Sequence, residues 1–182
     1  MMQDHEYRIS QIENGYKVFL DDTLFGIIEE GRKNKWYIHI EALDDNFIIQ
    51  RKAGIPSCYT VFSEADAEKI GEIALPVFFP FSGSTRFETV VKYGEIEWTS
   101  KNFLSLHWAW LINQEVVVEA VEDIVQKENS GIIRFSGSFG SIHLLVMAGI
   151  FLSFRRKQYL TLGLYQKSKR KDTDWAKGSS AE

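Results

Sequence analysis

The apolar segment between Ile142 and Phe154 constrains the fold most strongly, because His143 and Ser153 are its only polar residues. A helix built from this segment carries apolar residues on every face, which is typical of a helix buried in protein or lipid. Thirteen helical residues span roughly 20 Å, whereas the hydrocarbon core of a bilayer is roughly 30 Å thick. The segment therefore predicts a helix buried within the protein over residues 141–154, with Ser141 as its N-cap.

A membrane anchor is the alternative interpretation of the same segment. A spanning helix would have to extend back to Ile132, and the added stretch contains Arg134 together with several glycines and serines. A membrane-associated protein with an anchor over residues 132–154 is therefore the less favoured hypothesis. Cys58 is the single cysteine, so no internal disulfide can form, and the N-terminal residues lack the apolar region of a signal peptide. We expect a cytoplasmic protein that, if it binds a membrane, associates with the membrane surface.

The residues before the apolar segment alternate between apolar and polar side chains. Within KWYIHIE, the large side chains Trp36, Ile38 and Ile40 recur with the period of two that characterises a half-buried strand. The alternation is interrupted at Asn14-Gly15 and at Asp21-Asp22, which are predicted to form turns. Similar patterns elsewhere bring the expected total to about twelve short strands, which suits a barrel or a sandwich.

Residues 113–129 fit two structures. Valine, alanine and isoleucine recur there with helical spacing, and Asn113 could cap such a helix. The consecutive valines 116–118 are β-branched and instead favour a strand over 115–121. By pattern count alone the helix is narrowly favoured, and both alternatives stay open.

A β-rich chain that ends in a nearly uniform apolar helix resembles the tubby-like C-terminal fold, shared by LURP-one-related proteins and phospholipid scramblases. The resemblance is carried by LLVMAGIFLSF (144–154), with support from residues 58–76 and 98–122. It implies a closed antiparallel barrel of about twelve strands around a central helix at 141–154, and it favours a strand at 115–121. A single domain over 1–166 would then precede a polar tail over 167–182. Ser153 departs from the family pattern, which has an acidic residue late in the helix, and QYLTLGLY continues beyond it.

Charge is distributed unevenly along a chain whose net charge is −4. Residues 155–171, here called the basic segment, contain no acid and seven bases: Arg155, Arg156, Lys157, Lys167, Lys169, Arg170 and Lys171. Each Lys or Arg near an anionic lipid surface gains about 1 kcal/mol. These seven residues are therefore the predicted binding site for an anionic ligand, although a solvated C-terminus that balances an acidic body is an equally simple interpretation of the charges.

The sequence therefore favours a non-enzymatic module that binds anionic phospholipid headgroups or a membrane-proximal partner. A protein-interaction or scaffold domain without a ligand is the alternative, and a small-molecule-binding barrel is less favoured because the helix would fill it. No nucleic-acid reader motif accompanies the acidic body. We expect no cofactor and no metal, because His5, His39, His107 and His143 lack the short spacing to other ligands that metal sites show.

Overall fold

The computed structural model describes residues 2–41, 46–52, 58–74, 82–87, 96–100, 107–122, 129–135 and 142–155. The chain divides into two compact units, Met1–Gly149 and Ile150–Glu182. Every strand belongs to the first unit, and residues 150–155 are the described part of the second. The predicted boundary between a domain at 1–166 and a tail at 167–182 lies outside the described residues.

Twelve β-strands and one helix make up the regular structure of the described residues. The helix, α1, covers residues 142–155. The strands are β1 (Gln3–Ile12), β2 (Gly15–Leu20), β3 (Thr23–Glu30), β4 (Lys35–Ile40), β5 (Phe47–Arg51), β6 (Cys58–Ser63), β7 (Lys69–Ala74), β8 (Ser82–Phe87), β9 (Ile96–Ser100), β10 (His107–Ile112), β11 (Glu115–Glu122) and β12 (Asn129–Phe135).

The strands form one antiparallel sheet in which each strand pairs with its neighbours in sequence. β1 pairs with β2 through Tyr7 and Leu20, and with β12 through Tyr7 and Gly131. Along β4, Trp36 and Ile38 are buried while Tyr37 is exposed, which confirms the predicted alternation. The prediction of a mainly β protein with an antiparallel sheet and one apolar helix is confirmed.

Tight turns with positive φ angles connect several strands. Asp21 and Asp22 have φ angles of 47° and 62°, and Asn113 and Gln114 have φ angles of 51° and 68°. Two consecutive residues with positive φ match the turns that suit the twist of paired strands. Asn113 therefore lies in a hairpin turn between β10 and β11 and caps no helix. The helical alternative for residues 113–129 is wrong for Glu115–Glu122, which form β11.

α1 is buried along most of its length. Leu144, Leu145, Val146, Met147 and Ala148 are each at most 2% exposed. The predicted buried helix is therefore confirmed over residues 142–154, and it continues to Arg155. Ser141, its predicted N-cap, lies outside the described residues. Residues 132–135 belong to β12, so a continuous helical anchor over 132–154 does not form. Among the described residues, no helix combines the length and apolarity needed to cross a membrane.

The first turns of α1 pack closely on β10. A Cβ atom at Gly149 would lie 2.5 Å from Cη2 of Trp108 and 2.8 Å from Nε1 of Trp110. Nε1 of Trp110 donates a hydrogen bond of 2.6 Å to the carbonyl oxygen of Leu145. The small residue at 149 thus lets two tryptophans reach the helix backbone.

Candidate functional site

Of the seven residues predicted to bind an anionic ligand, the structure describes Arg155. It is the last residue of α1 and is half-buried. A positive charge at a helix C-terminus also interacts favourably with the helix dipole, which is a structural role for this side chain. The other six, Arg156, Lys157, Lys167, Lys169, Arg170 and Lys171, lie outside the described residues.

A cluster of aromatic and titratable side chains surrounds the start of α1. His143 is in the first turn, with its ring centroid 5.4 Å from that of Phe25 and 6.4 Å from that of Phe135. Its side chain is half-buried, and this burial lowers the pKa of His143 below its usual value because the charged imidazolium is poorly solvated there. We call His5, Asp21, Phe25, Phe135 and His143 the helix-start cluster.

His5 and Asp21 form a hydrogen-bonded pair within this cluster. Nδ1 of His5 lies 2.6 Å from Oδ2 of Asp21, and the ring of His5 stacks on Phe135 at 4.8 Å. Oδ1 of Asp21 accepts a 2.9 Å hydrogen bond from the backbone N–H of Glu6. These contacts lower the pKa of Asp21, with the hydrogen bond to His5 as the main cause.

The helix-start cluster orients an imidazole but assembles no metal site. Within the described ranges, no three His, Cys, Asp or Glu side chains lie close enough together to hold a metal ion. The sequence introduces His5 and His143 only as candidate metal ligands and places neither of them beside Phe135. The antiparallel pairing of His5 with Ile133 brings β1 beside β12, and no local pattern in the sequence contains that information.

A row of charged side chains crosses the exposed face from β10 to β1. Nε2 of His107 lies 2.5 Å from Oε1 of Glu119, and Nη1 of Arg134 lies 3.9 Å from Oε2 of Glu119. Nε of Arg134 donates a 2.8 Å hydrogen bond to Oδ1 of Asp4. Ion pairs near a protein surface add little to stability because solvent screens them, so this row supports the pairing of β1 with β12 without defining a binding site.

Comparison with solved structures identifies a similar arrangement of strands and helix. The X-ray structure of a protein from Arabidopsis thaliana, AT5G01750, superposes with a TM-score of 0.56, covering 82% of this chain and 88% of that chain. The two proteins share a fold. Their sequences are 7% identical, so the likeness concerns the fold alone. No protein-family model and no curated protein matches the chain.

Proposed function

We propose that the protein is a non-enzymatic binding module for anionic phospholipid headgroups, and that the basic segment makes the contact. The observation that carries this proposal is the separation of charge along the chain. The basic segment holds seven bases and no acid, whereas residues 1–154 hold 13 bases and 22 acids. A positively charged segment on an otherwise acidic protein attracts an anionic surface to that segment, whereas the acidic remainder of the protein does not attract it.

The packing of α1 supports a site on the outside of the protein. Leu145, Val146 and Met147 are at most 1% exposed, and Trp108 and Trp110 reach the backbone of α1 at Gly149. Within the described part of the chain, these side chains fill the buried face of the sheet where α1 meets β10, so a lipid or another small molecule has no space at that place. A ligand would therefore bind through surface side chains, and the basic segment is the stretch of the sequence with the greatest concentration of one charge.

We also propose that the sheet closes into a barrel around α1, as in the tubby-like superfamily. The pairing of β1 with both β2 and β12 supports closure, because it returns the order of strands to its starting point. Closure would leave no free sheet edge. The likeness to the Arabidopsis structure is consistent with this assignment, and the tubby-like family is the one that the apolar helix itself resembles.

Vesicle sedimentation tests the binding proposal. We expect the protein to sediment with vesicles that contain phosphatidylserine and to remain in solution with phosphatidylcholine vesicles. Replacing Arg155, Arg156 and Lys157 by glutamine should weaken binding by up to roughly a hundredfold, at about 1 kcal/mol per charge. Raising the salt concentration should weaken the binding of the unaltered protein in the same direction.

A matched control removes three positive charges from the body of the protein. Lys17, Arg32 and Lys33 are described residues remote in sequence from the basic segment. Their replacement by glutamine should leave vesicle binding nearly unchanged. Equal binding to neutral vesicles, or undiminished binding when all seven bases of the basic segment are replaced, would show that the proposal is wrong.

A further inference from the structure

Three hairpins of the sheet contain a shift of register at the same position. They are β2–β3, β6–β7 and β10–β11, and no other pairing among the described strands contains such a shift. In each hairpin the first strand is six residues long, and the shift falls between its fourth and fifth residues. The second strand has one extra, buried residue there, which makes a β-bulge. The extra residues are Phe25, Ile70 and Val117. The bulge therefore recurs every four strands.

The strands that flank each bulge repeat one pattern of pairing. The fourth residue of the first strand pairs with an apolar residue of the strand before it: Val18 with Ile9, Val61 with Ile49, and Trp110 with Trp98. On the strand after it, the same residue pairs with Gly26, Gly71 or Val118, whose partners on the next strand are Ile40, Phe87 and Phe135. The sheet therefore divides into three four-stranded blocks, over residues 3–40, 47–87 and 96–135.

The blocks are joined in the same way where the chain passes from one to the next. Phe47, in the first strand of the second block, pairs with Ile38 of the first block. Ile96, in the first strand of the third block, pairs with Thr85 at the equivalent place. Both junctions thus continue the register of the blocks, so the pattern extends without a break from β1 to β12.

The pairing of β1 with β12 departs from this rule. The partner of Tyr7 at the equivalent place would be Ile133, but Tyr7 pairs with Gly131 and His5 pairs with Ile133. A shift of two residues keeps every side chain on its own face of the sheet. His5 belongs to the helix-start cluster, so this cluster lies at the place where the three-fold pattern is interrupted.

The amino-acid sequence agrees with the pairing in the first two blocks. A Val-Phe step spans the shift of register in both, at residues 18–19 and 61–62, and a glycine follows the extra residue, at Gly26 and Gly71. The curvature of a sheet calls for bulges at intervals, but it does not select the same residues around them. The shared residues therefore favour the repetition of one unit over independent strands that curve alike.

The third block has larger side chains on its buried face. Its tryptophans stand where the first two blocks have smaller residues: Trp98 for Ile9 and Ile49, Trp108 for Tyr16 and Tyr59, and Trp110 for Val18 and Val61. Two of these tryptophans contact α1. Trp108 lies against Gly149, and Nε1 of Trp110 donates its hydrogen bond to Leu145. A valine has no side-chain donor, so this hydrogen bond to the helix is particular to the third block.

We propose that the sheet consists of three repeats of one four-stranded unit, and that the third repeat carries the tryptophans that hold α1. Repeats that make the same local pairings can accept one another's residues at equivalent positions. The third repeat is the exception, because its tryptophans contact the helix. The two parts of the proposal therefore predict opposite results for one sequence that is placed in two blocks.

A single graft at two places tests the proposal. Residues 18–26, VFLDDTLFG, replace residues 61–71 in one variant and residues 110–118 in another. In the second block the graft keeps the register and supplies apolar side chains to the buried face, so we expect a urea midpoint within about 1 M of that of the unaltered protein. In the third block the graft removes Trp110, and the cavity should lower the midpoint by more than about 1 M or abolish the cooperative transition.

The matched control is the second-block graft without the residue derived from Phe25. This control lacks the extra residue of the bulge, so the side chains of β7 that follow it move to the opposite face, and cooperative unfolding should be lost. A control as stable as the complete graft overturns the shared bulge. A third-block graft as stable as the second-block graft overturns the role of the third repeat.

A smaller exchange decides the outcome should the second-block graft fail to fold. Replacement of residues 64–67 alone by Asp-Asp gives the second hairpin a turn as short as those of the other two, and it leaves Ser63 and Ile70 in place. Cooperative unfolding near the unaltered midpoint supports equivalent hairpins. If this variant also fails to fold, the three blocks are not repeats of one unit.

Discussion

Nε1 of Trp110 donates a hydrogen bond of 2.6 Å to the carbonyl oxygen of Leu145. This contact joins β10 to the backbone of α1, and both residues are at most 1% exposed. The indole can approach because position 149, one turn further along the helix, has no side chain. The position of α1 against β10 thus depends on Trp110 and Gly149, which are distant in sequence.

Replacement of Gly149 by alanine should destabilise the protein. Helix propensity alone predicts a gain of about 1 kcal/mol. The added methyl group would, however, collide with rings of Trp108 and Trp110, and overpacking of a close-packed core costs roughly 1–3 kcal/mol. We therefore expect a lower midpoint in urea unfolding. The neighbouring change Ala148→Gly should cost about 1 kcal/mol through propensity. A more stable Gly149→Ala variant would disprove the close approach.

The hydrogen bond of Trp110 should be measurable against a matched tryptophan. Trp98 and Trp110 are cross-strand partners, and both are 0% exposed. Within the described part of the chain, Nε1 of Trp98 has no hydrogen-bond partner. Both Trp→Phe changes remove the same atoms, but only Trp110→Phe also removes a hydrogen bond. We expect it to cost roughly 1–2 kcal/mol more than Trp98→Phe. Equal losses in urea unfolding would mean that the Trp110 bond contributes nothing.

The sequence predicted those elements whose signal is local. Apolar residues on every face predicted α1. The alternation of Trp36, Tyr37 and Ile38 predicted β4, because the period of two along a strand decides which side chains face the buried side of the sheet. The spacing of the valines in residues 116–121 misled the pattern count. Val117 and Val118 are both buried in β11, where the register shifts between Trp110 and Leu111, so the strand departs from strict alternation.

Long-range pairing explains what the sequence could not predict about the candidate sites. The ring of His5 stacks on Phe135 because β1 and β12 are neighbours, although the two residues are far apart along the chain. Glu29 and Lys69 lie on one line across the sheet for the same reason, since four successive cross-strand pairings connect them. Local periodicity indicates which face a residue occupies, whereas strand order and register decide its neighbours.

A charge at Leu145 should unfold the protein. Leu145 is 1% exposed in α1, and an unpaired ammonium in such an environment carries a desolvation penalty of several kcal/mol. We expect Leu145→Lys to lose its cooperative thermal transition in circular dichroism. Val121→Lys on the outer face of β11 makes the same kind of change at a side chain that is 47% exposed, and this variant should melt close to the unaltered protein. Wild-type melting of Leu145→Lys would exclude α1 from the core.

Acidification should weaken the protein through His143. Burial against Phe25 and Phe135 lowers the pKa of His143 from its ordinary value of 6.5, so the unfolded chain takes up a proton at a higher pH than the folded protein does. Where the unfolded state binds more protons, stability falls as pH falls. The contribution of His143 to the free energy of unfolding is therefore intact above pH 6.5 and decreases as the pH drops below that value. The lowered pKa of Asp21 acts in a separate range, below its ordinary value of 3.8.

The variant His143→Gln isolates this effect, because glutamine stays neutral at every pH. Urea unfolding of both proteins from pH 8 to about pH 5 should give free-energy curves that converge toward acid. His5, His39 and His107 are common to both proteins, so their contributions largely cancel in the difference. Parallel curves would mean that His143 is solvated in the folded state. Curves that diverge toward acid would mean that a partner in the folded protein stabilises the charged form of His143. That result would contradict surroundings formed by the aromatic rings of Phe25 and Phe135.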